Sequence, residues 1–359
     1  MTESLPPIER CYGIQDALLA RFARCSRRSR FTGETKDAFL RWQRETRKLL
    51  SSLLGLDKLE SSPLDPQCTE TVKLPDGIRR EHWIIQTEPS VLMPFYLLIP
   101  PGANRETRVF LCPPGHGGAG KYSVAGCREY GAVAERIDYY HYDYGLQLAR
   151  LGYVALCPDC RGFGERREDI DDTLTLPAAL KGDCVKLAHM GLPLGITVAG
   201  MQVWDLMRAA DYLAQRGDWA YNKPGCLGFS GGGMQTLYLS ALDERISLAV
   251  ISGYLYGFLD SLLILNENCA CNYVPHLWVH LDMGDIASLI APRPLWVQSC
   301  REDRLNGPRG IINVEEQVMI VREAYRLLDA EPRLMHEVCE GSHRWHGEKL
   351  RDNLETLLR

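Results

Sequence analysis

The sequence contains no apolar stretch approaching the ~20 residues a membrane span requires, and no Asn-x-Ser/Thr acceptor along its 359 residues. Internal repeats and low-complexity tracts are also missing, and the 45% hydrophobic and 24% charged content excludes a disordered chain, a coiled coil or a collagen-like repeat. Charge of one sign is not in excess: 41 Lys and Arg against 46 Asp and Glu leave a net −5. Such a mildly acidic balance gives no reason to expect nucleic acid or an anionic membrane as partner. Residues 1–7 lack the charged and apolar regions of a signal peptide.

Cysteine, by contrast, is plentiful. The 13 cysteines are odd in number and scattered, not framed in pairs. A chain this long buries an ample core without disulfide staples. The expected setting is therefore a reducing, cytoplasmic one with free thiols. Cys112, Cys157, Cys226, Cys300 and Cys339 fall in apolar, strand-like runs and read as small core residues.

Two domains are expected: an N-terminal helical arm and linker over 1–66, and a catalytic domain over 67–359. Within the arm, Leu18, Leu19 and Phe22 form one helical stripe. Phe39, Trp42, Leu49, Leu50 and Leu53 form a second, stopped by Gly55. The Arg21, Arg24, Arg27, Arg28, Arg30 run reads as a solvated helix face. The arm's apolar stripe could pack on its own domain or join two copies as a homo-oligomer. Residues 80–87 and 92–99 read as an antiparallel pair around a turn. Further on, strand-like runs at 108–112, 153–157, 226–229, 248–252, 295–299 and 335–339 alternate with helical segments such as 198–215, 234–241, 314–328 and 348–358. Buried strands separated by helices predict an α/β fold with a mostly parallel central sheet, helices on both faces and antiparallel strands at its start. Reactive groups are expected on loops beyond the strands' carboxyl ends.

The sharpest motif is Gly228-Phe229-Ser230-Gly231-Gly232-Gly233, a G-x-S-x-G between an apolar strand and a helical segment. That context matches a nucleophile elbow, a turn so tight that its flanks must be glycine. A neutral hydroxyl attacks poorly, so Ser230 needs a base held by an acid, in the chain order Ser, Asp or Glu, His. Two later strand ends supply candidates: Asp303, with Glu302 beside it, and His343, with His346 three residues on. Asp303 and His343 are preferred. An oxyanion needs two backbone donors. Gly231 follows the nucleophile, and the glycine-rich loop Pro113-Pro114-Gly115-His116-Gly117-Gly118-Ala119-Gly120 offers the His116 N–H.

Other motifs read as weaker signals. Gly115-x-Gly117-x-x-Gly120 matches a dinucleotide fingerprint, but the loop is expected to continue through Ser123 and Gly126 where a helix should begin. Tyr122 also stands where a phosphate-binding loop needs Ser or Thr. His276 and His280 have helical ligand spacing, with Leu277 where a zincin has Glu. Cys269-x-Cys271 is closer than an ordinary structural zinc pair, and packing is the expectation for all four. No metal or organic cofactor is therefore expected. Tyr139, Tyr140, Tyr142 and Tyr144 could line a pocket or pack on the sheet. Tyr254, Tyr256 and Trp278 are candidates for the substrate pocket.

With these residues the chain resembles the α/β-hydrolases, in the branch of acetyl xylan esterase-like and dienelactone hydrolase-like proteins. The resemblance covers roughly 90–359. It rests on Pro114-Gly115-His116-Gly117-Gly118, Asp159-Cys160-Arg161-Gly162-Phe163-Gly164-Glu165-Arg166, Val203-Trp204-Asp205, the elbow, and Asp285-Ile286-Ala287-Ser288-Leu289-Ile290-Ala291-Pro292-Arg293-Pro294. It implies Ser230 as nucleophile, Asp303 as acid, His343 as base and no cofactor, in a serine hydrolase acting on a small-molecule ester. Pro114 replaces the histidine that commonly opens the oxyanion motif, and dienelactone hydrolases themselves carry cysteine at the elbow. A peptidase of the prolyl-oligopeptidase kind shares fold and triad order, but the ~90 residues before the first parallel strand are too few for a propeller. A non-catalytic binding module on the same fold is the remaining alternative.

Overall fold

The computed structural model describes residues 12–168 and 181–358. The opening segment 1–7 discussed above lies outside them.

Nine strands form one sheet: β1 (Gln67–Lys73), β2 (Arg79–Glu88), β3 (Val91–Ile99), β4 (Arg108–Leu111), β5 (Val154–Pro158), β6 (Ala220–Phe229), β7 (Leu248–Ser252), β8 (Leu295–Cys300) and β9 (Leu334–Cys339). Their spatial order is β1-β2-β3-β5-β4-β6-β7-β8-β9. β1 through β3 pair antiparallel, and β3 meets β5 antiparallel; every later pairing is parallel. The central strands β5 and β7 are buried at every residue, as a parallel sheet covered on both faces demands. β1 was not legible beforehand: Gln67–Lys73 is almost wholly exposed at the sheet edge and carries no alternating apolar pattern.

The arm supplies α1 (Gln15–Cys25) and α2 (Lys36–Leu54). Thr35 caps α2 by accepting from the Ala38 N–H at 3.2 Å, and left-handed Gly55 ends it. Phe39, Leu50 and Leu54 are fully buried in the core that lies on one face of the sheet. Gln43 donates to the Ser288 and Ala291 carbonyls, and Arg47 to those of Ala241 and Leu289. Arg27 does not behave as a solvated helix-face residue; it makes a paired contact, 2.8 Å at each nitrogen, with buried Asp285. A second core on the opposite face gathers Phe110, Tyr142, Tyr144, Phe229, Trp296 and Trp345. Among the described residues no single helix is long and apolar enough to cross a membrane.

Candidate active site

Ser230 sits between the end of β6 and the helix Gly231–Leu242, with φ 57° and ψ −121°. A non-glycine residue held at positive φ stores strain that the surrounding structure must hold in place. Here the Ser230 N–H donates to the Ser252 carbonyl of β7 at 2.9 Å, which fixes the turn. A Cβ at Gly232 would lie 2.2 Å from the Pro113 carbonyl oxygen, so the elbow and the loop after β4 meet only because that position is glycine.

Asp303 and His343 come together. The Asp303 Oδ2–His343 Nδ1 distance is 2.6 Å, with the carboxylate almost wholly buried and the imidazole 18% exposed. Both lie just beyond strand ends, Asp303 after β8 and His343 after β9. The His343 ring packs on Phe229, the residue before Ser230, with centroids 4.5 Å apart. Ser230 and His343 line one cleft of about 660 Å³. Glu302 is exposed at its rim, while His346 does not line it and lies beside Glu348 instead. A second hollow of about 620 Å³, between the arm and the helix Ile311–Leu327, has no histidine or cysteine on its wall.

The loop after β4 is held by its carbonyls. Tyr144 donates to Pro113 O at 2.6 Å, Gln235 to Pro114 O at 3.0 Å, Tyr142 to His116 O at 2.5 Å and Arg136 to Gly117 O at 2.9 Å. Gly231 abuts this loop: a Cβ there would lie 2.6 Å from His116 Nδ1. Burial pushes the Tyr142 and Tyr144 hydroxyls well above their ordinary range, so both stay protonated as donors. Tyr139 and Tyr140 instead line the cleft, with the Arg136 guanidinium over both rings.

Three candidates for the substrate pocket are not brought to the cleft wall. Tyr254 and Tyr256 are 3% and 1% exposed, with their rings tilted against each other at 5.2 Å; Tyr254 donates to Asn272 Oδ1 at 2.7 Å. Trp278 packs between Phe22, Phe258 and Tyr273, against the arm. They follow the elbow in sequence, but the apolar demand of the core claims their rings.

Two polar clusters draw on the loop after β4 and the residue that follows it. In one, Lys121, with no exposed surface, pairs with Asp159 at 2.7 Å and Glu165 at 2.5 Å. Lys121 opens a short helix, Lys121–Val124, where a continuing loop was expected. Beside this cluster Asp205 is held by Arg161 at 2.8 Å and Arg166 at 2.5 Å. Burial pushes the Asp205 carboxyl up, but Arg166 and Arg161 pull it further down, to about 2. These ion pairs use all four charged residues of the 159–166 motif. The other cluster joins His116, Cys184, Cys269 and Cys271, whose ligand atoms all lie within 4.8 Å of one another. Cys269 and Cys271 are thus not packing residues alone, and their sequence spacing gave no sign of the two distant partners. His280 turns to Ser29 Oγ at 2.9 Å and does not join His276 as a ligand pair.

The model of the Abhydrolase family matches residues 10–356. YtaP of Bacillus subtilis (strain 168), called a hydrolase, is 29% identical over 285 residues, covering 77% of this chain and 87% of that protein. Among solved structures, a Bacteroides fragilis NCTC 9343 protein described as an acetyl xylan esterase superposes with a TM-score of 0.75. It is 21% identical, over 92% of this chain and 83% of that one. A glucuronoyl esterase from Solibacter usitatus gives a TM-score of 0.63 at 16% identity, over 93% and 96% of the two chains.

Proposed function

The chain belongs to the Abhydrolase family, and from that premise we propose that it is a serine esterase cleaving short-acyl esters, with carbohydrate esters as the substrate class. The observation that carries the reading is the joint geometry of one cleft. A strained Ser230 and a His343 hydrogen-bonded to buried Asp303 share it. Esterase names among the structural neighbours support the same class of reaction.

His343 accepts the Ser230 proton as the hydroxyl attacks the ester carbonyl. The Gly231 and His116 N–H groups stabilise the tetrahedral oxyanion. His343 then gives the proton to the leaving alcohol and later draws one from the water that hydrolyses the acyl-enzyme. Asp303 holds the imidazole tautomer and favours its positive charge. The aromatic wall of Tyr139 and Tyr140 and the charged Glu267, Glu302 and Arg304 opposite suit a polar, ring-shaped alcohol.

Purified protein should hydrolyse p-nitrophenyl acetate and take up a fluorophosphonate label. Ser230→Ala should abolish labelling and lower kcat by about 10⁶-fold. Full hydrolysis by that variant would sink the reading. A panel of acetylated sugars, aryl esters, lactones and aminoacyl amides assigns the substrate; preference for the amides would favour a peptidase.

A further inference from the structure

His116, Cys184, Cys269 and Cys271 reach one point from three segments of chain: the loop after β4, the start of the helix Cys184–Gly191, and the turn Ala270–Asn272 after β7. His116 Nε2 lies 3.3 Å from Cys271 Sγ and 3.9 Å from Cys184 Sγ. A tetrahedral zinc ion with Zn–S of about 2.3 Å and Zn–N of about 2.0–2.1 Å sets neighbouring ligand atoms about 3.5–3.8 Å apart. The two distances bracket that spacing. Three thiols and one imidazole form a ligand set typical of structural zinc, and the cluster includes no carboxylate to favour a hard cation.

The surroundings suit a bound cation. Cys184 and Cys271 are 1% and 2% exposed. The Asn272 amide donates to Cys271 Sγ at 3.5 Å and to the Cys269 carbonyl at 3.0 Å, while its own oxygen is held by the Tyr254 hydroxyl. N–H groups aimed at sulfur, fixed by a further partner, are the outer-shell support that metal thiolates use. Tyr254, absent from the cleft wall, acquires a purpose here.

We propose that the protein binds one zinc ion at His116, Cys184, Cys269 and Cys271, as a four-coordinate site that fastens these three segments at the cleft wall. Zn²⁺ displaces the three thiol protons to solvent and takes three thiolates and the neutral imidazole, with no change of oxidation state. Metal at His116 Nε2 leaves the ring proton on Nδ1, the edge that faces Gly231. The ion therefore anchors the side chain of the residue whose carbonyl Tyr142 holds. This inference does not depend on which ester, if any, the cleft hydrolyses.

The full-length protein, purified under reducing conditions without chelator, should carry about one zinc per chain by elemental mass spectrometry. Cys184→Ser and Cys271→Ser should each retain less than a tenth of it. Cys68→Ser, on exposed β1, should retain all of it. Because the buried variants could misfold, Co²⁺ is also added to reduced, zinc-stripped wild-type protein. The expected readout is a sulfur-to-cobalt charge-transfer band with intense tetrahedral d–d bands, both bleached by zinc. Three results would overturn the site: no retained zinc with no cobalt–thiolate band, full zinc content in both Cys184→Ser and Cys271→Ser, or a disulfide within the cluster in protein prepared anaerobically.

Discussion

The stretch from Pro113 to Lys121 feeds two polar clusters built on opposite principles. At Lys121 the cation is part of the chain: an ammonium with no exposed surface sits against Asp159 and Glu165. The Asp159 carboxylate also accepts from the Lys121 and Glu165 backbone N–H groups. At His116 the ligand atoms converge without a side-chain cation among them. Carboxylates buried without a counter-charge would be costly, so the first cluster must carry its cation at all times. Protonated thiols are neutral and small, so the second can exist with or without one. The first kind of cluster is bound to be structural. The second can be filled or emptied.

Four experiments test that contrast. The largest effect is expected from Lys121→Met, which leaves the fully buried Asp159 carboxylate without its cation, while half-exposed Glu165 keeps the Tyr122 hydroxyl. It should cost about 3–5 kcal/mol in urea unfolding, whereas Cys271→Ala in metal-free protein, which buries no new polar group, should cost about 1 kcal/mol. Equal losses would erase the distinction. Next, if the thiol cluster is filled, chelation should lower wild-type stability by about 2.7 kcal/mol relative to protein in zinc at a hundred times its Kd. Lys121→Met should show the same decrement, because its defect lies elsewhere.

Acid provides a third, smaller test. Asp205 is held at about 2, below the ordinary carboxylate value of 3.8. A depressed carboxyl stabilises the fold above its unfolded pKa and loses that contribution as pH falls toward the folded one. Stability should therefore drop by on the order of 2 kcal/mol between about pH 4 and pH 2. Asp205→Asn should flatten that part of the profile; an unchanged slope would remove Asp205 as the cause. The smallest effect is expected from Tyr142→Phe, which frees the His116 carbonyl at a cost of about 1 kcal/mol. That should lower kcat about fivefold and leave KM unchanged, while Tyr221→Phe, on the exposed start of β6 away from the cleft, leaves kcat as it was.

How much of this was readable beforehand follows from the range of the interactions involved. Eight of the nine strands announced themselves through apolar runs, strongest where burial on both faces demands them, as in β5 and β7, and weaker in half-buried β2 and β9. The elbow was legible for a related reason: its chemistry and its steric demands occupy six consecutive residues, 228–233. The His343–Asp303 contact was reachable through chain order and strand ends. β1 was not, since an exposed edge strand needs no apolar pattern. Nor was the task of Tyr142 and Tyr144, whose hydroxyls hold carbonyls more than twenty residues away. The thiol cluster was least visible of all. Its members stand at 116, 184, 269 and 271, and only the last pair shares a local spacing. Helix Gly131–Tyr140 was missed too, its glycine start and mixed composition offering no clear stripe.

Cys269 belongs both to the cleft wall and to the thiol cluster. An alkylating or mercurial reagent that enters the cleft meets this sulfur on a wall shared with Ser230 and His343. Inhibitor profiling sorts hydrolases by whether thiol or serine reagents silence them. A thiol reagent that blocked activity here would therefore report on Cys269 at the cleft wall and would not by itself assign the nucleophile.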